Sequence, residues 1–188
     1  MSFSFRYLVL LALFGGAAAS SSSASEPKQA SQDDEAEIKA ALAELPDADK
    51  TLAAAQRWCA VNQGSRLGSM GAPVKVVLDG KPVFLCCAGC KKKASADPKA
   101  TVKAAETLKK VNGALAKLSA SDRELAEAQR FCAVMDDSRL GAMGTPVKLL
   151  IDGKPVFLCC AGCEDEAKAN PKETIAKVAQ LKKANASN

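Results

Sequence analysis

The eight cysteines of the chain fall into two identical sets, Cys59, Cys86, Cys87, Cys90 and Cys132, Cys159, Cys160, Cys163, each member of the second lying 73 residues after its counterpart. The register runs without a gap from 38–110 onto 111–183, so the chain reads as two abutting copies. Residues 56–90 match 129–163 at 26 of 35 positions, whereas the flanking stretches match at 16 of 38. Divergence has spared the cysteine core, which locates the function, or the staple that holds the fold, in that core.

Each copy carries legible punctuation. Asp49 or Asp122 is placed to cap a short helix ending near Arg57 or Arg130, and Ser121-x-x-Glu124 has the form of a capping box. A Gly-rich loop over 64–71 follows. Residues 74–78 then read as a strand, Asp79-Gly80 as a turn and 83–86 as the return strand, because Asp-Gly between apolar runs tolerates the positive φ of a tight hairpin. Copy two repeats this at 147–151, Asp152-Gly153 and 156–159. Asp97-Pro98 and Asn170-Pro171 are helix starts, a capping residue before a proline. Val102, Ala105, Leu108, Val111, Leu115 and Leu118 recur at helical spacing, which predicts a long helix joining the copies. The fold class expected is α+β, with two small hairpin-plus-helix modules.

Composition removes several chemistries. With no histidine, the chain has no imidazole base, triad or imidazole metal ligand. A net charge of +5, evenly mixed, and 4% aromatics argue against a nucleic-acid partner. What remains is sulfur. Cys86-Cys87-Ala88-Gly89-Cys90 puts three thiols where a hairpin meets a helix, with Cys59 arriving from the loop after the first helix. Such a junction is a metal knuckle, since small residues let sulfurs and amides face one point. Neighbouring strand residues face opposite sides, so unless the strand ends there Cys86 and Cys87 compete for one ligand position, as do Cys159 and Cys160. All-thiolate sites suit zinc, copper(I) and other thiophilic ions, not magnesium or calcium. Three residues beyond Cys132, Met135 offers a soft thioether that would favour copper(I), against a plain packing role; Met70 and Met143 read as packing residues. Two competing readings use the same cysteines: a disulfide-stapled interaction module, and a Cys87-x-x-Cys90 redox motif, which lacks the βαβ context of a thioredoxin.

Cys59, Asp79-Gly80-Lys81 and Val83-Phe84-Leu85-Cys86-Cys87-x-x-Cys90 resemble the TRASH-like and YHS-like heavy-metal-binding domains of bacteria. The resemblance covers about 40 residues of each copy. It implies a treble-clef-like zinc-finger core, a role in trafficking, resistance or sensing of heavy metals, and ligands Cys59, Cys86 and Cys90 with Cys132, Cys159 and Cys163. The spacing from Cys59 to Cys86 is longer than usual for such domains, and Cys87 stands where serine is common.

The remaining segments organise the chain around these modules. Basic Arg6, an apolar run over 7–19 and the small exit Ala17-Ala18-Ala19, with Ala24 as a second cleavage candidate, form a secretory signal too short to span a bilayer. The expected layout is a signal peptide at 1–19, a flexible linker at 20–34, an N-terminal helix at 35–48, copy one at 49–96, a connecting helix at 97–118, copy two at 119–169 and a C-terminal helix and tail at 170–188. The copies differ electrically: Lys91-Lys92-Lys93 follows Cys90, whereas Glu164-Asp165-Glu166 follows Cys163. Opposite triplets suggest packing between copies or between chains, and lysines would favour the net negative charge of a three-thiolate site. The sequence thus predicts a non-enzymatic periplasmic or secreted protein that binds a metal ion and serves a metal-trafficking or efflux partner, with no membrane span after signal cleavage.

Overall fold

The computed structural model describes residues 27–186, so the expected signal peptide lies outside them. Helix α1 (Pro27–Ala43) begins inside the stretch read as a flexible linker. A proline suits a first helical turn, and the Lys, Gln, Ala and Glu residues that follow are good helix formers. Helix α2 (Asp47–Gln56) opens earlier than the expected Asp49 cap, because the Pro46 carbonyl accepts from the amides of Asp49 and Lys50 at 2.8 and 2.9 Å. Asp49 instead pairs with Lys75 at 2.6 Å. The equivalent helix of copy two, described below, is capped by Ser119, whose hydroxyl accepts from Asp122 N at 3.2 Å, so the Ser121 capping box is not used.

Strands β1 (Val74–Leu78) and β2 (Lys81–Leu85) pair antiparallel from Val74 opposite Leu85 to Leu78 opposite Lys81. The turn has φ of 48° at Asp79 and 74° at Gly80, the left-handed pair that matches strand twist. One 3₁₀ turn over Ala88–Cys90 leads into α3 (Lys91–Ala96). The chain then breaks at Asp97, whose carboxylate accepts from Ala100 N at 3.0 Å and starts α4 (Pro98–Leu115). Copy two follows the same plan with α5 (Ala120–Gln129), β3 (Val147–Ile151), β4 (Lys154–Leu158), a 3₁₀ turn over Ala161–Cys163, α6 (Glu164–Ala169) and α7 (Pro171–Ala186). Seven helices and two separate hairpins make an α+β fold among the described residues.

The units of packing are not the units of sequence. Val102 and Ala105 of α4 join the core of copy one, with Leu67, Val83, Phe84 and Leu85. Leu108, Val111 and Leu115 of the same helix join the core of copy two, with Leu140, Val156, Phe157 and Leu158. Helix α1 gives copy one the cover that the end of α4 gives copy two: a Cβ at Gly68 would lie 2.8 Å from Ile38 O, and one at Gly141 would lie 2.9 Å from Val111 O. Trp58, though part of copy one, packs in the core of copy two, with the guanidinium groups of Arg139 and Arg57 at 4.8 and 5.4 Å from its ring. Arg57 pairs with Glu127 at 2.8 Å, and Arg139 and Arg130 donate to Gln63 O and Gly64 O. No helix among the described residues is long and apolar enough to cross a membrane.

These close approaches set an expected pattern of stability. Gly68→Ala and Gly141→Ala each add a Cβ against backbone at positive φ, 97° and 92°, and are expected to destabilise by about 1–3 kcal/mol. Gly113→Ala, inside α4 with nothing near its Cβ, is expected to stabilise by about 0.5–1 kcal/mol. Urea denaturation of the three variants checks the opposite signs.

Candidate metal centre

A buried amide brings the cysteine-bearing segments together. Gln56, fully buried at the end of α2, donates from Nε2 to Trp58 O at 2.8 Å and Phe84 O at 2.6 Å, and its Oε1 accepts from Phe84 N at 3.0 Å. The side chain thus acts as one more rung of the hairpin, tying the residue before Cys59 to the strand that ends at Cys86. Gln129 makes the same three bonds with Phe131 and Phe157. Neither glutamine stood out in the sequence, although a polar residue kept in both copies at the apolar end of a helix was the available signal. Asn112 and Asn185 form a second unforeseen pair, each amide donating to last-turn carbonyls of α2 or α5.

The loop after α2 wraps the first sulfur. Cys59 N donates to Ser65 O at 3.0 Å, Asn62 Nδ2 donates to Ser65 Oγ at 2.7 Å, and Asn62 N points at Cys59 Sγ at 3.3 Å. Cys86 follows the last residue of β2 and Cys90 closes the 3₁₀ turn before α3. Their sulfurs converge: Cys59 Sγ lies 3.9 Å from Cys90 Sγ, Cys86 Sγ lies 3.8 Å from Cys90 Sγ, and all three lie within 4.8 Å of one another. Cys132, Cys159 and Cys163 form the matching trio, with Cys159 and Cys163 at 3.7 Å. Four thiolates arranged tetrahedrally at about 2.3 Å from a zinc ion stand about 3.8 Å apart. The trios therefore have the spacing a single soft ion requires, and all eight cysteines are free thiols.

Both cysteines of each pair lie just beyond the strand, and one of the two joins the trio. Cys86 and Cys159 turn inward and are 1% exposed, whereas Cys87 and Cys160 lie half-buried outside the trios. Cys87 Sγ is 4.0 Å from Cys86 Sγ. The methionines divide differently from expectation. Met70 and Met143, read as packing residues, are each 59% exposed, because the glycines of their loops, at positive φ, turn the segment outward. Met135 is also exposed, and its backbone amide, with those of Cys159 and Val134, is what reaches Cys132.

Burial and crowding set the protonation of the trios. Burial, reinforced by the neighbouring sulfurs, pushes Cys90 and Cys163 up to about 11, and Cys86 and Cys159 higher still. Burial also acts on Cys132, but the amides of Met135, Cys159 and Val134 outweigh it and hold that thiol below its ordinary value. The Gly89 amide lowers Cys87. The charged triplets lie beside the sites on exposed turns of α3 and α6; Glu164 pairs with Lys168 on its own helix, and among the described residues no ion pair joins the triplets. The chain matches no family model, no curated protein and no solved structure.

Two outcomes follow from this geometry. Gln56→Ala, which orphans the buried Phe84 amide and Trp58 carbonyl and leaves Phe84 O with only the longer bond from Ala60 N, is expected to lower the stability of the metal-free protein by about 3 kcal/mol, measured by urea denaturation. The raised thiols fix the sign of the pH dependence. A thiol that resists ionisation in the fold supports the metal-free fold below its unfolded value near 9, and that support is lost as pH rises towards 11. Denaturation midpoints of the metal-free protein at pH 8 and pH 10.5 are expected to show the fall.

Proposed function

We propose that the protein is a thiolate metal-binding protein with one site per copy, which captures, buffers or hands on a thiophilic ion such as zinc or copper(I) in the cell envelope. The observation that carries this reading is the convergence of three thiols, twice, at spacing suited to one ion. Within a trio one disulfide joins two sulfurs and the third must turn to Cys87 or Cys160 outside it, whereas a soft cation uses all three. Cys59, Cys86 and Cys90 would hold the ion in copy one, and Cys132, Cys159 and Cys163 in copy two. A loop cysteine, a hairpin-end cysteine and a helix-start cysteine are the parts of a treble-clef-like finger, and this supports the likeness to the TRASH-like and YHS-like domains.

The role is one of binding rather than catalysis. Buried thiols raised to about 11 are poor nucleophiles at neutral pH but become ligands once a cation displaces their protons. The leader-like start of the sequence supports delivery to the periplasm or the exterior, where a metal-trafficking or efflux partner would receive the ion.

Native mass spectrometry of the protein purified from its export compartment, with thiols counted after denaturation, tests the reading. Two bound ions with free thiols are expected, and the mass names the ion. A metal-free mass with paired cysteines overturns it in favour of a stapled module. Titration of the metal-free protein at pH 7.5 is further expected to release at least two protons per ion, because Cys86 with Cys90, and Cys159 with Cys163, start protonated.

A further inference from the structure

The trio of copy two has no exposed member. Cys132, Cys159 and Cys163 are 0, 1 and 4% exposed, so an ion arriving from solvent meets none of them first. The thiol it does meet is Cys160, half-buried beside them. A Cβ added at Gly162 would lie 3.7 Å from Cys160 Sγ, so the small Ala161-Gly162 pair, itself exposed, leaves the outer side of that sulfur bare. Copy one is built alike at Cys87, with the same backbone angles (φ −159°, ψ 169°) and the same 3.7 Å clearance over Gly89. It differs in one respect: Cys90 is itself half-buried, so its trio already has a solvent-facing member.

We propose that Cys160 is the receiving thiol of copy two, taking a thiophilic ion from solvent and passing it by ligand exchange to Cys132, Cys159 and Cys163, and that Cys87 is the less essential counterpart in copy one. This rests on the metal reading above. In copy one the 4.0 Å between Cys86 Sγ and Cys87 Sγ lets one ion hold both sulfurs at once, since two thiolate bonds of about 2.3 Å span up to about 4.6 Å, and Cys160 holds the same place in the fold of copy two. In copy two the ion loses bound water as Cys160 Sγ binds it and the Cys160 proton goes to solvent. Bonds to Cys159, Cys163 and Cys132 then form, each displacing its proton to water, and the Cys160 bond breaks as Cys160 regains a proton. Neither ion nor sulfur changes oxidation state. Glu164, Asp165 and Glu166 follow Cys163 in the chain, where Lys91, Lys92 and Lys93 follow Cys90; Glu164 is paired with Lys168, and Glu166 accepts from Asn170.

The test uses the whole exported chain with cadmium(II) as probe, following thiolate-to-metal absorbance at equilibrium and after stopped-flow mixing. Circular dichroism of Cys160→Ser and Cys87→Ser confirms that each exposed substitution leaves the fold intact. Cys160→Ser is expected to bind two ions yet fill one site about tenfold or more slowly, with a smaller effect in Cys87→Ser. Wild-type uptake rates in Cys160→Ser, or slowing no greater than in Cys87→Ser, would overturn the proposal. So would loss of one bound ion from Cys160→Ser, which would make Cys160 a resident ligand. If the unsubstituted chain binds no cadmium(II), the metal reading itself fails, a result separate from all of these.

Discussion

A glutamine side chain used as backbone is the constraint on which each module depends. Gln56 and Gln129 each bond a strand amide and two carbonyls, and the amide and the Trp58 carbonyl of copy one would otherwise be buried without partners. Because those groups belong to the segments that carry Cys59 and Cys86, or Cys132 and Cys159, the bonds that satisfy the backbone also set the sulfurs side by side. The trio is thereby brought together by hydrogen bonds of the protein alone, so an ion held there would not need to order the loop. That is an advantage in a module with few aromatic residues, where a site assembled only by its metal would carry a larger ordering cost.

The local grammar of the chain was readable where a short-range rule governs it. Asp79-Gly80 and Asp152-Gly153 produce tight turns because both residues accept positive φ, and the first strands fall where the apolar runs placed them, while the return strands open two residues earlier, at Lys81 and Lys154, and end one earlier, at Leu85 and Leu158. Asp97-Pro98 starts a helix for an equally local reason. The helix starts at Asp47 and Ala120 were harder, since several capping residues stand close together and competing ion pairs from Lys75 and Lys148 occupy Asp49 and Asp122. Strand geometry could say that Cys86 and Cys87 face opposite ways, but not which way was inward; the burial of Phe84 and Leu85 against helices distant in sequence decides that. Gln56 and Trp58 escaped for the same reason, because their partners lie about 28 residues away or in the other copy.

The two copies are interlocked rather than strung together. Trp58 leaves its own module to fill the core of the next, held between Arg57 and Arg139, and one helix contributes to both cores. The loop that carries Cys59 also receives Arg139 and Arg130 from the far side through Gln63 O and Gly64 O. A change of shape at one thiol trio therefore has a short physical route to the surroundings of the other, through packed side chains and two hydrogen bonds.

The sharing of α4 also bears on valency. Each hairpin module has one long helix on its leading side, which meets the glycine of its loop, and one on its trailing side, so a row of two modules that share α4 uses three, α1, α4 and α7. Helix α1 begins the row, and α4 closes one module while opening the next with Val111 and Leu115. At the corresponding positions after α7 begins, the sequence has Ala184 and Asn188 instead. Neither residue reproduces the apolar pair with which α4 covers the second hairpin. The sharing therefore ties the spacing of the two thiol trios to the length of one helix, since α4 must cover the first core before it meets the second.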